Sequence, residues 1–161
     1  MRQDYLKQFL HYDPLTGSFN WRTSGKGRRK DLVAGCKNGK GYVCIRIDGQ
    51  IYLAHRLAWI YVHGAIPEGK LIDHRNGVCS DNRICNLRVA SHSQNNENKR
   101  RPKKKSASGL LGVSLKKSTG KWESRIKVGA RNISLGVFDD PKSAHEAYIL
   151  AKRRLHAFCT I

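Results

Sequence analysis

Residues 72–98, IDHRNGVCSDNRICNLRVASHSQNNEN, concentrate the side chains that could do hydrolytic chemistry. Asp73 and His74 are adjacent, and Asn86 and Asn95 follow within the same stretch. Hydrolysis of a phosphodiester needs a base to activate water and a hard cation to stabilise the charge on the reacting phosphate and the departing oxygen. An imidazole with an ordinary pKa near ~6.5 is neutral at working pH and still accepts a proton, which suits His74 to the role of base. The carboxylate of Asp73 and the amide oxygen of Asn95 are hard donors suited to Mg2+ or Mn2+, with other positions left for water and phosphate. Asn98 shares the helix face of Asn95 and could be a ligand or a phosphate contact, and His92 is a weaker ligand candidate. Alone, Asp-His before Arg-Asn-Gly reads as a polar turn and Asn95 as an ordinary exposed helix residue. Only the linked set points to a site.

The surrounding pattern supplies elements to hold that set. A short strand KLIDH, a polar loop, a second strand NLRVA and a helix follow in order; Ser91 opens the helix and Gln94 completes a capping box. Neighbours in a regular strand point to opposite faces, so the strand is expected to end or distort at Asp73-His74. Upstream, residues 5–10 suit a short helix and DPLTG a turn before Phe19 and Trp21. GYVCIRID and IYLAH flank Asp48-Gly49, a strong hairpin signal. HRLAWIYVHG reads as a buried helix closed by Gly64. His55 and His63 flank that helix as packing or capping residues, although His55 could also face DNA. His11, His145 and His156 carry no functional case.

The linked set, with YDPLTG, GYVCIRI and HRLAW upstream, resembles the ββα-metal core of HNH endonucleases of the phage and intron homing kind over roughly residues 12–98. The resemblance implies metal-dependent cutting or nicking of double-stranded DNA, with His74 as general base and a single Mg2+ held by Asp73 and Asn95. It also implies that Asn86 hydrogen-bonds loop backbone so that the two strands hold His74 correctly. Arg75, Arg83 and Arg88 beside the site are candidate DNA contacts.

Charge supports a polyanionic partner: 31 Lys+Arg against 12 Asp+Glu gives +19 and a pI near 10.2. Nucleic acid fits best, because each neutralised phosphate releases condensed counterions. With 161 residues, 39% hydrophobic content and a mean hydropathy of -0.58, two small cores are expected rather than one large one. No run approaches the ~18 apolar residues of a membrane span, and MRQDYLKQFL lacks the apolar stretch of a signal peptide. A cytoplasmic, unsecreted chain is expected, inside a bacterial host if phage-encoded, with no obligate protein partner. The five cysteines are odd in number and form no C-x-x-C pair, so they read as reduced thiols and structural zinc is not expected.

The expected organisation is a nuclease domain over 1–98, a basic linker over 99–108 and a DNA-binding domain over 109–161. Basic residues peak in KRRPKKK, where Lys99, Arg100, Arg101, Lys103, Lys104 and Lys105 would track phosphates ahead of Ser-Ala-Ser-Gly. Beyond it, Trp122, Ser124, Ile126 and Val128 alternate with Lys121, Glu123, Arg125 and Lys127. Flanking segments repeat the period through Leu111, Val113, Leu115 and through Ile133, Leu135, Val137. Asp140-Pro141 then starts a helix with Ala144, Tyr148, Ala151 and Leu155 on one side. The motifs G-V, K-W, L-G-x-F and A-x-x-A-Y resemble the Apetala-2/ethylene-response-factor domain. That resemblance implies a sheet laid in the major groove, with Lys116, Lys117, Lys121, Arg125, Lys127 and Arg131 facing DNA. The expected fold class is α+β, a ββα-metal nuclease domain plus a small three-stranded antiparallel sheet packed on one helix. A non-catalytic DNA-binding regulator is the alternative from another class, and a ribosome-associated RNA-binding role also fits the charge.

Overall fold

Helix α1 (Gln3–Phe9) runs directly into strand β1 (Leu10–Tyr12), which pairs antiparallel with β2 (Phe19–Trp21). The structure, a computed structural model, describes residues 1–26, 29–102 and 106–160. The turn between β1 and β2 is built by Asp13, whose carboxylate accepts from Leu15 N–H at 2.9 Å and Thr16 Oγ1 at 2.7 Å. Gly17 closes the turn at φ +74°, and a Cβ there would meet Arg83 N at 2.4 Å. Only glycine permits both that backbone conformation and that approach. The turn therefore lies directly against the polar loop that follows Asp73-His74.

Strands β3 (Cys36–Lys37), β4 (Val43–Ile47) and β5 (Gln50–Leu53) form an antiparallel sheet in that order. Asp48 and Gly49 take φ of 48° and 81°, as a two-residue type I′ hairpin requires. Helix α2 (Ala54–His63) ends at Gly64, whose N–H donates to Ile60 O. Leu6, Leu10, Phe19, Ile45, Ile47, Leu57 and Ala58 fill the core, and Ile72 and Leu87 join it. These last two belong to β6 (Leu71–His74) and β7 (Leu87–Ala90), an antiparallel pair whose connecting loop ends in a short 3-10 turn, Ile84–Asn86. The core thus anchors the hairpin that carries Asp73 and His74.

The first compact unit is Met1–Ser91 and the second is His92–Ile161. The second opens with α3 (His92–Glu97) and continues through β8 (Val113–Lys116), β9 (Lys121–Val128), β10 (Arg131–Phe138) and α4 (Pro141–Leu155). Its sheet is antiparallel in the order β10-β9-β8, and α4 packs on it. Asp140 caps α4 by accepting from the Lys142 and Ser143 N–H groups at 2.9 Å, with Pro141 in the first turn.

Three expectations change here. A bulge between Ser134 and Gly136 reverses the alternation of β10, so Val137 pairs with Glu123 on the outer face while Gly136 and Phe138 pair with Ser124 and Trp122. On α4 the buried face runs through Ala144 to Lys152, and Leu155 is exposed. Lys152 is buried, and its ammonium donates to Lys99 O. Finally, the end of the expected nuclease domain and the start of the expected linker are both bonded to the last residues of the chain: Thr160 Oγ1 donates to Asn98 Oδ1 at 2.9 Å, and Arg100 donates to Thr160 O at 3.0 Å. The start of the second unit therefore precedes the expected linker by several residues. Arg101 is exposed, whereas Lys103, Lys104 and Lys105 lie outside the described residues. Among the described residues no helix is long and apolar enough to cross a membrane.

Candidate active site

Strand β6 ends at His74, and its register pairs Asp73 with Arg88 and His74 with Leu87. Alternation therefore puts His74 on the face of Ile72 and Leu87, toward the core, and Asp73 on the opposite face with Arg88. Both are nearly sealed, at 7% and 5% exposure for Asp73 and His74. Asp73 Oδ2 accepts from Arg88 Nε and Nη2, each at 2.9 Å. Arg88, expected at DNA, is thus turned inward, because an unpaired carboxylate at that depth would be costly.

The loop between the strands is organised by its own amides. Asn86 donates through Nδ2 to Asp81 O at 2.8 Å and to Asn76 Oδ1 at 3.0 Å, while its Oδ1 accepts from Asn76 N–H at 3.0 Å. Asn76 and Asp81 each accept from the N–H two residues on, the turn chemistry typical of Asn and Asp. Asp81 also takes a two-pronged contact from Arg83, at 2.8 and 2.7 Å, which with Asn76 holds its carboxyl down to about 2. Arg83 is exposed but committed to that pair, and Arg75 is exposed with its N–H on Asn86 O.

This scaffold delivers Asn82 to His74. Tyr12, 70 positions away in sequence, donates its hydroxyl to Asn82 O at 2.6 Å, and the Asn82 amide oxygen lies 3.2 Å from His74 Nε2. With that oxygen accepting, His74 carries its proton on Nε2 and its basic lone pair on Nδ1. Burial lowers the His74 pKa, opposed by Asn82 and by the Asp73 and Asp81 charges. The imidazole is therefore neutral at neutral pH, as a base must be before it acts. On its other side are the rings of His55, 4.8 Å away, and Tyr42, 6.0 Å away.

Asn95 is half-buried on α3, whereas Asn98, expected on the same helix, lies in the turn just after it and is buried. His92 is exposed at the start of that helix. Among the described residues no group of three or more His, Cys, Asp and Glu side chains could hold a metal ion. A cation here would draw on one carboxylate with amide and water oxygens, a donor set that fits Mg2+ better than zinc. The residue types at Asp73 and Asn95 fit that requirement.

The sheet of the second unit carries a different kind of polar surface. Lys116 pairs with Lys121, Ser114 with Glu123 and Asn132 with Lys127 across one face. Arg125 lies there at 62% side-chain exposure beside Glu123, 2.8 Å away, and Lys121 contacts Asp139 at the same distance. Lys117 is exposed beyond the end of β8. Arg131 is opposite Val128 at the hairpin end, on the other parity.

Asn76, Asp81, Asn82 and Tyr42 were not singled out in the sequence. Asn-Gly and Asp-Asn mark turns there, but nothing local shows that one amide reaches His74.

Comparison with known proteins finds similarity over part of this chain. Residues 52–97, from β5 through α3, match the family described as HNH endonuclease. Among individual relatives, Protein 3.8 of Escherichia phage T7 is 35% identical over 72 residues, 45% of this chain and 59% of that protein. The match thus spans about three fifths of the relative's length. A solved structure described as DNA binding and cleavage by the HNH homing endonuclease I-HmuI aligns with 61% of this chain and 55% of that one, at 24% identity and a TM-score of 0.46.

Proposed function

We propose that this chain is a metal-dependent endonuclease or nickase acting on double-stranded DNA. The observation that carries the reading is His74 itself: a buried, neutral imidazole at a strand end, held at Nε2 by Asn82 and located inside the HNH-matching segment. In the proposed reaction His74 accepts a proton from the attacking water at Nδ1. Asn82, already on Nε2–H, stabilises the imidazolium that results. Asn86 keeps the loop closed through its bonds to Asn76 and Asp81, so that Asn82 stays in reach. Asp73 and Asn95 would hold Mg2+ or Mn2+, and Arg88 fixes the Asp73 carboxylate. When bound, the cation would supply charge stabilisation for the phosphate and the departing oxygen. Arg75 and Arg83 are suited to contact flanking phosphates.

We assign duplex binding to the second unit, through Lys116, Lys117, Lys121, Arg125, Lys127 and Arg131, with the Apetala-2-like reading of its sheet as the model for groove entry. Lys99, Arg100 and Arg101, with Lys103, Lys104 and Lys105, would add phosphate contacts that carry no base information. The net charge of +19 supports this division of work. The test is incubation of supercoiled plasmid with the full chain in Mg2+ and in EDTA, beside a binding competition between duplex DNA and structured RNA. Relaxed or linear product only with Mg2+, and preference for DNA, are expected. No metal-dependent product would leave a non-catalytic DNA-binding protein, and preference for RNA would overturn the choice of partner.

A further inference from the structure

His55 stands in the first turn of α2 and is buried at 6% exposure. Its ring meets the His74 ring edge to face, with centroids 4.8 Å apart at 66°. Tyr42 closes a three-ring cluster, 5.5 Å from His55 and 6.0 Å from His74. The Cys79 thiol beside Tyr42, together with burial, pushes the Tyr42 hydroxyl up to about 12. The cluster thus joins the turn before β4, the start of α2 and the end of β6.

His55 Nδ1 is buried without a hydrogen-bond partner among the described residues. Leaving a polar atom unmade at that depth typically costs about 1–3 kcal/mol. A leucine would fill the space without that cost, so a ring is placed here despite its nitrogen. The imidazole is also kept uncharged: burial, the neighbouring His74 and Arg56 push its pKa down to about 3. The positive end of α2 acts in the same direction. A neutral, flat, immobile surface is the result.

We infer that His55 is a positioning residue for His74: its ring, backed by Tyr42, holds the His74 imidazole in the orientation in which Asn82 meets Nε2. This rests on the nuclease reading for its catalytic consequence, but not for its structural one. Without the His55 ring, His74 can rotate away from Asn82, and the lone pair that must take the water proton loses its aim. DNA affinity should not change, because His55 is buried.

The test compares His55→Ala, His55→Leu and His55→Phe in the full chain. Steady-state plasmid cleavage in Mg2+ gives kcat and KM, and NMR of the His74 ring in metal-free protein reports its orientation. His55→Ala should lower kcat about tenfold to a hundredfold with KM nearly unchanged. Its His74 ring signal should broaden or split. His55→Phe should restore both the rate and a single sharp signal, and His55→Leu, which keeps the fold if the alanine variant does not, should behave as alanine. A phenylalanine variant as impaired as alanine, or an unmoved His74 signal in both alanine and leucine variants, would overturn the proposal. A wild type that cleaves nothing would defeat the nuclease reading alone, and the ring signal would still decide the role of His55.

Discussion

The β6–β7 hairpin and the outer face of the β8–β10 sheet are both dense in charged and amide side chains, and they use them in opposite ways. In the hairpin, Asp73 and Arg88 meet at 8% and 12% side-chain exposure, and Asn76, Asp81 and Asn86 are bonded to one another. On the sheet, Arg125 remains 62% exposed even while paired with Glu123, and Lys127 faces solvent. Buried ionic groups must be matched internally, because removing one partner strands the other's charge. Exposed ones keep their water and can exchange it for phosphate at little cost. On the proposed function, the difference separates a place that would aim one imidazole from a place that would hold a polyanion.

Breaking the contrast at its strongest point means removing the base. His74→Ala should slow single-turnover cleavage by about 10²–10⁴-fold. DNA affinity, measured without metal, should stay at the wild-type value. Loss of affinity in parallel with rate would show that His74 serves binding instead.

The ion pairs should separate next, in urea unfolding. Arg88→Ala should cost about 3–5 kcal/mol, since Asp73 stays buried without its partner. Arg125→Ala should cost no more than about 0.5 kcal/mol. Equal costs would erase the distinction between the two regions.

The sheet should show its own signature in binding. Arg125→Ala and Lys127→Ala should each flatten the dependence of log affinity on log salt by about one unit and leave the single-turnover rate at saturating protein unchanged. A change of rate without a change of salt slope would move these residues out of the binding role.

The last expected effect is on pH-dependent stability. Burial lowers the folded pKa of His55 to about 3 from its ordinary 6.5. Below the unfolded value the unfolded chain binds the proton first, so stability should be full above about pH 6.5 and fall as pH drops toward 3. Thermal melts of wild type and His55→Phe between these limits check this, and the variant should show the shallower loss. Equal slopes would mean that His55 is not buried neutral.

What could be read in advance was what adjacent residues decide. Asp48-Gly49, Gly64 and Asp140-Pro141 act within a turn of themselves, and the hairpin and both helix ends appear where they stand. Val137 changed faces because a bulge depends on the partner strand, and the buried Lys152 donates to the carbonyl of Lys99, 53 positions away. The site divides along the same line. Asp73, His74 and Asn86 stand in a recognisable order, whereas Asn82 depends on Tyr12 and Gly17 reaching the loop from the other end of the unit. Arg88 carried no local mark that it would turn toward Asp73, because cross-strand register chooses its neighbour.

Single-turnover conversion of supercoiled plasmid, run with wild type and His74→Ala at matched DNA occupancy in Mg2+, tests the central claim most directly. Metal-dependent cleavage by the wild type, reduced at least a hundredfold in the variant, is the expected result. Equal rates in the two proteins, or no cleavage by the wild type, would contradict it.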